Sequence, residues 1–324
     1  MLTLQEAQNL IDMRLQNLNL PQEPKELYEP VKYILSTGGK RVRPALVLLG
    51  CDLFGGSASS AIFPALAIEI FHNFTLLHDD IMDKSELRRG QPTVHIKWNE
   101  NTAILSGDVM TMIASRLINE SPGATLKNVN DVFTRTAIEV CEGQQYDMNF
   151  ESSVTVDEAD YLKMIELKTA VLIAASLKIG AMLGGAAEKD AEDLYLFGLN
   201  LGLGFQLQDD LLDTYGNEEE FGKKTGMDII DNKKTILMIT ALQEATKEQK
   251  EKLMYWLTAV DFDPVEKVKS VVEIFDALDV RTITNKMIHY YFEQALKNLK
   301  VLNRPDEEKT ELFSFADLLI NRKK

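Results

Sequence analysis

The feature that most constrains the fold of this 324-residue chain is a missing residue type: no proline occurs between Pro122 and Pro264. Proline inside a helix costs about 3 kcal/mol, so a long proline-free tract permits long helices. Apolar residues recur with the helical period in Val272–Leu278 and Ile283–Leu302, and no run alternates as a strand would. The pattern predicts an all-α fold of roughly a dozen helices. Helix ends are expected at Thr37–Gly39, Gly55–Ser57, Ser121–Gly123, Gly184–Gly185 and Asp261–Pro264.

Composition narrows the class of protein. With 45% hydrophobic and 26% charged residues, the chain is typical of a globular protein. No low-complexity linker divides it, so we expect one domain over residues 1–324. Asp and Glu number 50 against 35 Lys and Arg, a net charge of −15 that disfavours nucleic acid as a partner. Phosphate ligands stay compatible with this charge, because local basic clusters or bound cations reverse the local field.

The two cysteines and the apolar segments indicate in which cellular compartment the protein is expected. Cys51 and Cys141 both lie in apolar stretches and provide neither a disulfide framework nor a zinc site, so we expect buried thiols of a cytoplasmic protein. The first twenty residues are amphipathic and lack the apolar run of a signal peptide. The most membrane-like stretch, Ala170–Ala187, contains Lys178 and three glycines. A buried core helix is therefore expected there, not a transmembrane segment.

Two acidic clusters end apolar runs: Phe74–Asp83 reads FTLLHDDIMD and Phe205–Asp213 reads FQLQDDLLD. On a helix, residues i and i+4 lie ~40° apart and about 6 Å along the axis, so the first and last aspartates share a face. Crowded carboxylates need a cation, and oxygen-only ligands favour Mg²⁺. The sequence predicts two facing helices that hold Mg²⁺ between Asp79, Asp80, Asp83, Asp209, Asp210 and Asp213.

Basic residues follow each acidic cluster. Arg88 and Arg89 come after the first, Lys223, Lys224, Lys233 and Lys234 after the second, and Gly38–Pro44 reads GGKRVRP. Arginine binds phosphate oxygens in a bidentate fashion, and glycines let backbone N–H groups approach an anion. Carboxylates, Mg²⁺ and basic clusters beside apolar helices suit a ligand with a diphosphate head and an apolar tail.

His72 belongs to a Glu-x-x-His pattern with Glu69. Di-iron bundles use two such patterns, and no second one occurs among the four histidines of this chain. A di-iron centre is therefore disfavoured. A buried core histidine and a contact with a diphosphate both stay open at this point.

Together these motifs resemble those of the trans-isoprenyl diphosphate synthases, also called polyprenyl synthetases. The matching segments follow the family's order over most of the chain: GGKRVRP at Gly38–Pro44, His72, LHDDIMDKSELRRG at Leu77–Gly90, GQQYD at Gly143–Asp147, Lys168-Thr169, FQLQDDLLD at Phe205–Asp213 and GKKTGMDIIDNKKT at Gly222–Thr235. The resemblance implies an all-α isoprenoid synthase fold around a central apolar cavity, a homodimer, and Mg²⁺, three ions per active site. It implies a head-to-tail (1′-4) condensation of isopentenyl diphosphate with dimethylallyl, geranyl or farnesyl diphosphate.

The resemblance also implies a role for each matching residue. Asp79, Asp83 and Asp209 correspond to direct Mg²⁺ ligands, with Asp80, Asp210 and Asp213 supporting them. The isopentenyl diphosphate site would comprise Gly39, Lys40, Arg43, His72 and Arg89. The allylic diphosphate site would comprise Arg88, Lys168, Thr169, Gln206, Lys223 and Lys233. Thr169 and Gln206 lie where the family stabilises the carbocation, beside Lys168, Asp79 and Asp209 as the further catalytic residues.

Product length is expected to be set below the first acidic cluster. Phe74 precedes Asp79 by five residues, about 7.5 Å along a helix, and Phe71 lies nearly one turn further on the same face. A large residue at the Phe74 position resembles the short-chain synthases, and the neighbouring Thr75 is small. We expect these three residues to form the floor of the cavity, and a product of C15–C20.

Two rival functions share parts of this pattern. A class I terpene cyclase would have Ser or Thr where Asp213 stands, and would lack the basic residues Lys40, Arg43 and Arg89. A regulatory subunit of a heteromeric synthase tends to lose its acidic clusters, and this chain keeps both. Both alternatives are disfavoured on these residues.

Overall fold

The computed structural model describes residues 2–153, 155–216 and 225–322, and within them the chain is almost entirely helical. Its α-helices are α1 Leu4–Gln16, α2 Lys25–Ser36, α3 Val42–Leu53, α4 Ala58–Met82, α5 Val94–Lys97, α6 Glu100–Ile118, α7 Gly123–Ser152, α8 Glu158–Ile165, α9 Val171–Gly184, α10 Glu188–Tyr215, α11 Met227–Ile230, α12 Ile236–Glu244, α13 Lys247–Thr258, α14 Pro264–Ala277, α15 Val280–Val301 and α16 Thr310–Ile320. A π-helical turn, Glu166–Ala170, joins α8 to α9, and a 3₁₀ turn, Asp306–Lys309, precedes α16. The all-α prediction is confirmed.

The described chain groups into two compact units, each made of three segments. The first comprises residues 2–135, 175–195 and 302–311, and the second comprises residues 136–174, 196–301 and 312–322. The expected single domain over the whole chain, with a central apolar cavity, stays a prediction.

In the first unit, α4 is the central helix. Its residues are largely apolar, and it packs against α3 and α6. The approach to α6 is close: a Cβ atom on Gly107 would lie 2.2 Å from the Nε2 atom of His78. This packing fixes the direction in which α4 ends, and with it the position of the first acidic cluster.

In the second unit, small residues bring α7, the π-helical turn and α10 together. A Cβ atom on Gly143 of α7 would lie 2.2 Å from the backbone nitrogen of Lys168, and one on Gly202 of α10 would lie 2.6 Å from the Cα atom of Ala170. Any side chain at either glycine would push these segments apart. Gly202 of α10 therefore serves close packing, at the small cost that glycine has in a helix.

Two helical stretches are long and apolar enough to cross a membrane, Ala58–Met82 and Glu158–Gly184. In each, 67% of the most apolar 18-residue window is buried inside the protein. That is how core helices behave, and it agrees with the core helix expected from the sequence around Ala170–Ala187.

The prediction for the cysteines is half right. Cys51 is buried, but Cys141 is exposed, so the expectation of a buried thiol there is wrong. The buried apolar side chains before Cys141 in α7 are Val129, Phe133 and Val140, which share one face. Cys141 follows Val140 by one residue, about 100° around the axis, and therefore leaves that face.

Candidate functional site

The first acidic cluster lies at the carboxyl end of α4, where the helix dipole is negative and opposes further negative charge. Asp79 and Asp80 belong to the last turn, and Asp83 caps the helix. Asp80 is buried, and the Nε atom of Arg88 donates to both of its carboxylate oxygens at 2.8 and 2.9 Å. The same guanidinium lies 3.8 Å from Asp79. Arg88 thus supplies part of the positive charge that this cluster requires.

A small hairpin that the sequence did not reveal positions Arg88 and Arg89. Its strands, β1 Leu87–Arg88 and β2 Gln91–Pro92, are antiparallel and only two residues long, too short to alternate detectably. Arg89 and Gly90 form the turn, both with positive φ, 53° and 73°. Hairpin turns of this kind favour positive φ at both central residues. The turn separates the two arginines, Arg88 toward Asp80 and Arg89 toward Gly38.

Four of the residues predicted to bind isopentenyl diphosphate come together in the first unit. Arg89 donates a hydrogen bond to the carbonyl of Gly38, and its guanidinium fills the space over Gly39. Arg43 Nη1 lies 3.2 Å from Nε2 of His72, which must accept because a guanidinium only donates. The Nε atom of Arg43 is buried and finds no partner among the described residues. Such a group of donors suits an anion.

The pKa values agree with an anion site. Burial, and to a smaller extent the positive charge of Arg89, lower the pKa of Arg43 to about 10. Burial and the neighbouring arginines lower the pKa of His72 well below 6.5, so the imidazole is neutral at physiological pH. The side chain of Lys40 is exposed at the edge of this group, and its backbone carbonyl accepts from Gln8 at 2.6 Å. The arginine side chain of Arg43 thus stays positively charged although burial disfavours its charged form.

The second acidic cluster lies in the last two turns of α10. Asp210 is buried and accepts a hydrogen bond from the hydroxyl of Tyr161. Asp213 accepts one from the backbone N–H of Asp228 at 3.0 Å. Asp209 is more exposed, and Arg322 donates to it at 3.1 Å. Asp228, which the sequence analysis assigned no role, joins the cluster through this contact.

Burial and mutual repulsion raise the pKa values in this second cluster. Burial raises the pKa of Asp210 to about 7, with a further contribution from Asp209. Burial raises the pKa of Asp228 to about 8, and the carboxylates of Asp210 and Asp213 add to the shift. Raised carboxylate pKa values in one cluster indicate a place where a cation would be strongly stabilising.

A line of hydrogen bonds connects the predicted carbocation-stabilising residues to this cluster. Thr169 lies in the π-helical turn, a feature that is frequent at functional sites. Its hydroxyl donates to Gln206 Oε1 at 3.3 Å, and Gln206 Nε2 donates to Asp210 at 3.3 Å. The adjacent Lys168 donates to Asp147 at 2.6 Å. Thr169 and Gln206 thus lie in contact, and Lys168 precedes Thr169 in the same turn; their roles toward the allylic substrate stay a prediction.

Of the two remaining lysines of the predicted allylic site, Lys233 belongs to the described residues and Lys223 does not. Lys233 follows α11, and its Nζ atom lies 4.0 Å from Asp228. Lys223 lies outside the described residues. The placement of Lys233 beside the second cluster agrees with the predicted role.

The described aspartates form no complete metal site by themselves: within those residues, no three His, Cys, Asp or Glu side chains are close enough to hold an ion. Their donors are all carboxylate oxygens, the type that Mg²⁺ prefers. Mg²⁺ also keeps several waters and uses one or two carboxylates with substrate phosphates, so an incomplete protein shell fits this ion. That the two clusters hold the same ions stays a prediction.

Aromatic side chains lie below the first acidic cluster. Phe71 is buried, and its ring centroid lies 5.5 Å from that of Phe74 and 5.6 Å from that of Phe133. Phe74 is half-buried and packs edge-on against His78 at 4.7 Å. Thr75 is turned into its own helix, with its hydroxyl bonded to the carbonyl of His72 at 2.8 Å. The predicted contact between the two phenylalanines is confirmed, while their role as a floor stays a prediction.

Sequence reasoning missed several residues of these clusters. Asp147 and Asp228 stand inside segments that carried the resemblance, so their positions were a usable signal. Tyr161 is a single aromatic residue on an amphipathic helix, and Arg322 lies more than 100 residues from Asp209 in the chain. Neither of these two has a local pattern that marks it.

Comparisons with known proteins show which family this chain resembles in sequence and in fold. The sequence profile of the family described as polyprenyl synthetase matches residues 24–275. The geranylgeranyl diphosphate synthase of Methanosarcina mazei is 40% identical over 324 residues, which cover 96% of this chain and 94% of that protein. A crystal structure of a geranylgeranyl pyrophosphate synthase matches with a TM-score of 0.95 and 42% identity, over 100% of both chains. The geranylgeranyl pyrophosphate synthetase of Pyrococcus horikoshii matches with a TM-score of 0.91 and 33% identity, over 98% of this chain and 97% of that one.

Proposed function

The chain belongs to the polyprenyl synthetase family and has its all-α isoprenoid synthase fold. On this basis we propose which of its residues bind each substrate and which stabilise the charges formed in the reaction of a short-chain trans-prenyltransferase. The enzyme condenses isopentenyl diphosphate head-to-tail with an allylic diphosphate and releases diphosphate. Several of its relatives carry the name of geranylgeranyl diphosphate synthase, so within the C15–C20 range we favour the C20 product.

The observation that carries the assignment of substrates is the separation of the two hairpin arginines. Arg88 is bonded to Asp80, beside the first acidic cluster, which favours a diphosphate bound together with metal ions. Arg89, Arg43 and neutral His72 form a cationic group with the Gly38–Gly39 turn. That group favours the diphosphate of isopentenyl diphosphate without a metal ion.

The chemistry follows from these residues. The C–O bond of the allylic substrate ionises, and the diphosphate leaves with the negative charge. Arg88, Lys168 and Lys233 stabilise that charge, as positioned donors do for any developing anion. The oxygen atoms of Thr169 and Gln206 present partial negative charge to the allylic cation. The isopentenyl double bond attacks it, and the departing diphosphate accepts the proton that is then lost.

Mg²⁺ fits this site, as the carboxylate donors indicate. Asp79, Asp83 and Asp209 would hold the ions directly, with Asp80, Asp210 and Asp213 in support, three ions for each active site. When bound, the ions supply Lewis-acid stabilisation of the leaving diphosphate. Bound cations would offset the negative charge of the aspartates at the carboxyl ends of α4 and α10, where the helix dipole is negative as well.

The experiment that tests this division compares Arg88→Ala with Arg89→Ala. We expect Arg88→Ala to raise KM mainly for the allylic substrate, and Arg89→Ala to raise it mainly for isopentenyl diphosphate. Steady-state assays with each substrate varied separately measure both values. Mass analysis of the products made from each allylic primer gives the chain length. Equal effects of both variants on both substrates would contradict the division, and hydrocarbon products would indicate a terpene cyclase instead.

We propose that two copies of the chain form a homodimer through α6. This helix exposes Ile104, Leu105 and Met112, of which Leu105 and Met112 are 59% and 63% exposed. They recur at helical spacing on one side, around Asp108, and a cluster of exposed apolar side chains on one helix face is typical of an interaction surface. Light scattering after size exclusion should give a dimer for the wild type and a monomer for the double variant Leu105→Glu, Met112→Glu.

The proposed compartment is the cytoplasm. The two cysteines are unpaired, as expected for thiols in a reducing environment. Fractionation of expressing cells tests this, with recovery in the membrane pellet as the contrary result.

A further inference from the structure

A buried ion pair lies behind the cationic group of the first unit. Arg41 and Glu69 are 5% and 3% exposed, and the Nη1 atom of Arg41 lies 2.6 Å from the Oε1 atom of Glu69. Arg41 Nη2 donates to the carbonyl of Leu35 at 2.7 Å, and Asn73 Nδ2 donates to Glu69 Oε1 at 2.9 Å. Neither residue was assigned a role in the reaction. Buried charges are costly, so a pair retained here calls for an explanation beyond stability.

The pair joins two of the three segments that carry the cationic group, the start of α3 and the middle of α4. Arg41 stands at the start of α3 with φ of 46°, the left-handed region that non-glycine residues rarely adopt. Lys40 precedes it, and Arg43 follows two residues later. Glu69 lies one turn before His72 on α4. Fixing Arg41 to Glu69 therefore fixes the turn that presents Arg43 to His72.

The pair also determines which carboxylate the other arginines meet. Among the described residues, Arg43 and Arg89 have no carboxylate at salt-bridge distance, whereas Arg41 has both Glu69 and Asp12. Burial lowers the pKa of Arg43 and of Arg89, and the Glu69 carboxylate opposes both shifts, so its field reaches both groups. Without Arg41, the buried Glu69 carboxylate would attract Arg43 and Arg89. It would then compete with an anionic ligand for these two guanidinium groups.

We propose that Arg41 is a positioning residue for isopentenyl diphosphate: it engages Glu69, so that Arg43 and Arg89 keep their charge available for the diphosphate. This inference rests on the proposed function, which assigns the cationic group to that substrate. If the inference is correct, the loss of diphosphate affinity in a variant without Arg41 is caused by the unpaired Glu69 carboxylate. Removing the Glu69 charge as well should therefore restore the affinity.

The test uses the full chain and inorganic diphosphate as the probe, titrated calorimetrically in metal-free buffer, beside the KM for each substrate. We expect Arg41→Gln to weaken diphosphate binding and to raise the KM for isopentenyl diphosphate by about 10-fold or more, the effect of one lost charge-assisted bond. The KM for the allylic substrate should stay nearly unchanged. In the double variant Arg41→Gln, Glu69→Gln, both the affinity and the KM should return to within about threefold of the wild type.

Two further variants serve as controls for the charge of Arg41 and for its second carboxylate partner. Asp12→Asn removes the other, half-exposed carboxylate partner of Arg41 and should leave diphosphate affinity unchanged. Arg41→Lys keeps a cation for Glu69 and should retain most of the affinity. If Arg41→Gln does not fold, the double variant and Arg41→Lys still decide, because both keep the charges balanced and should bind normally.

The contrary results are distinct. An Arg41→Gln protein that is folded and binds diphosphate as the wild type does would overturn the inference. So would a folded double variant that binds as weakly as the single one, since a packing role alone is not rescued by removing Glu69. A wild type that binds diphosphate but makes no prenyl product would refute the proposed function, and the affinities of the variants would still test the role of Arg41.

Discussion

Replacing Gly39 by alanine should damage one substrate site and spare the other. A Cβ atom at this position would lie 2.9 Å from both terminal nitrogens of Arg89 and 3.0 Å from its Cζ atom. Ordinary contacts begin near 3.4 Å, so the guanidinium has to move by about half an ångström. The backbone at Gly39 has φ of 136°, which costs a non-glycine residue about 1–3 kcal/mol in addition.

The expected rise in KM can be estimated from the hydrogen bond to the diphosphate that a displaced Arg89 would lose. A hydrogen bond to a charged group contributes about 1.5–3 kcal/mol, and each 1.4 kcal/mol is about a tenfold change in affinity. Displacing Arg89 from the diphosphate should therefore raise the KM for isopentenyl diphosphate by about 10- to 100-fold. The KM for the allylic substrate and the kcat at saturation should change little, because Arg88 and the aspartates keep their places.

Gly38→Ala is the matched control. Gly38 also has positive φ, 86°, but no atom lies within 4 Å of its Cβ position. This variant shares the backbone strain without the collision, so thermal denaturation should show similar losses of stability for both. Steady-state kinetics and melting temperatures of the pair then separate strain from displacement. Equal KM changes in the two variants, or an equal rise in the allylic KM, would refute the assignment of Gly39 and Arg89.

Three further predictions concern the metal ligands, product length and pH. Asp79→Ala and Asp209→Ala should each lower kcat by at least about 10²-fold with Mg²⁺ present, while circular dichroism confirms the fold; near-normal turnover would contradict the ligand assignment. Phe74→Ala should lengthen the product by one or more isoprene units, and adding Phe71→Ala should lengthen it further, whereas an unchanged product in a folded variant would place the floor elsewhere. Burial holds the pKa of His72 well below its ordinary value of 6.5, so the folded protein resists protonation there. The unfolded chain takes up a proton as pH falls below about 6.5, which lowers the free energy of unfolding. His72→Gln should flatten that part of the melting temperature profile between pH 7 and 5, and an unaltered slope would show that another group is responsible.

The helix ends were predictable because local chemistry determines them. Helix α2 ends just before Thr37–Gly39, α3 before Gly55, and α9 at Gly184, all where glycine permits a left-handed exit. Helix α14 begins at Pro264 with Asp263 as its cap, an arrangement that a sequence displays openly. The short hairpin was not predictable, since two residues per strand carry no period.

The site was predictable in its residue types and less so in its partners. The spacing of the aspartates and the position of Arg88 and Arg89 followed from motifs. The pairing of Arg88 with Asp80 depended on the short hairpin, and the pairings of Tyr161 with Asp210 and of Arg41 with Glu69 depended on how segments distant in the chain pack. A buried polar group needs a partner, but the sequence does not say which one.

The π-helical turn at Glu166–Ala170 has a consequence for how this protein can change. A regular helix rotates about 100° per residue, and a π turn holds one residue more than the α-helical turn it replaces. Deleting one residue there would let the turn close as a regular α-helical turn, with α8 and α9 keeping their phase. The residues inside the turn would shift their direction, so Lys168 and Thr169 would no longer both reach Asp147 and Gln206. The extra residue is therefore not needed to orient the core helix; it is needed to aim these two side chains.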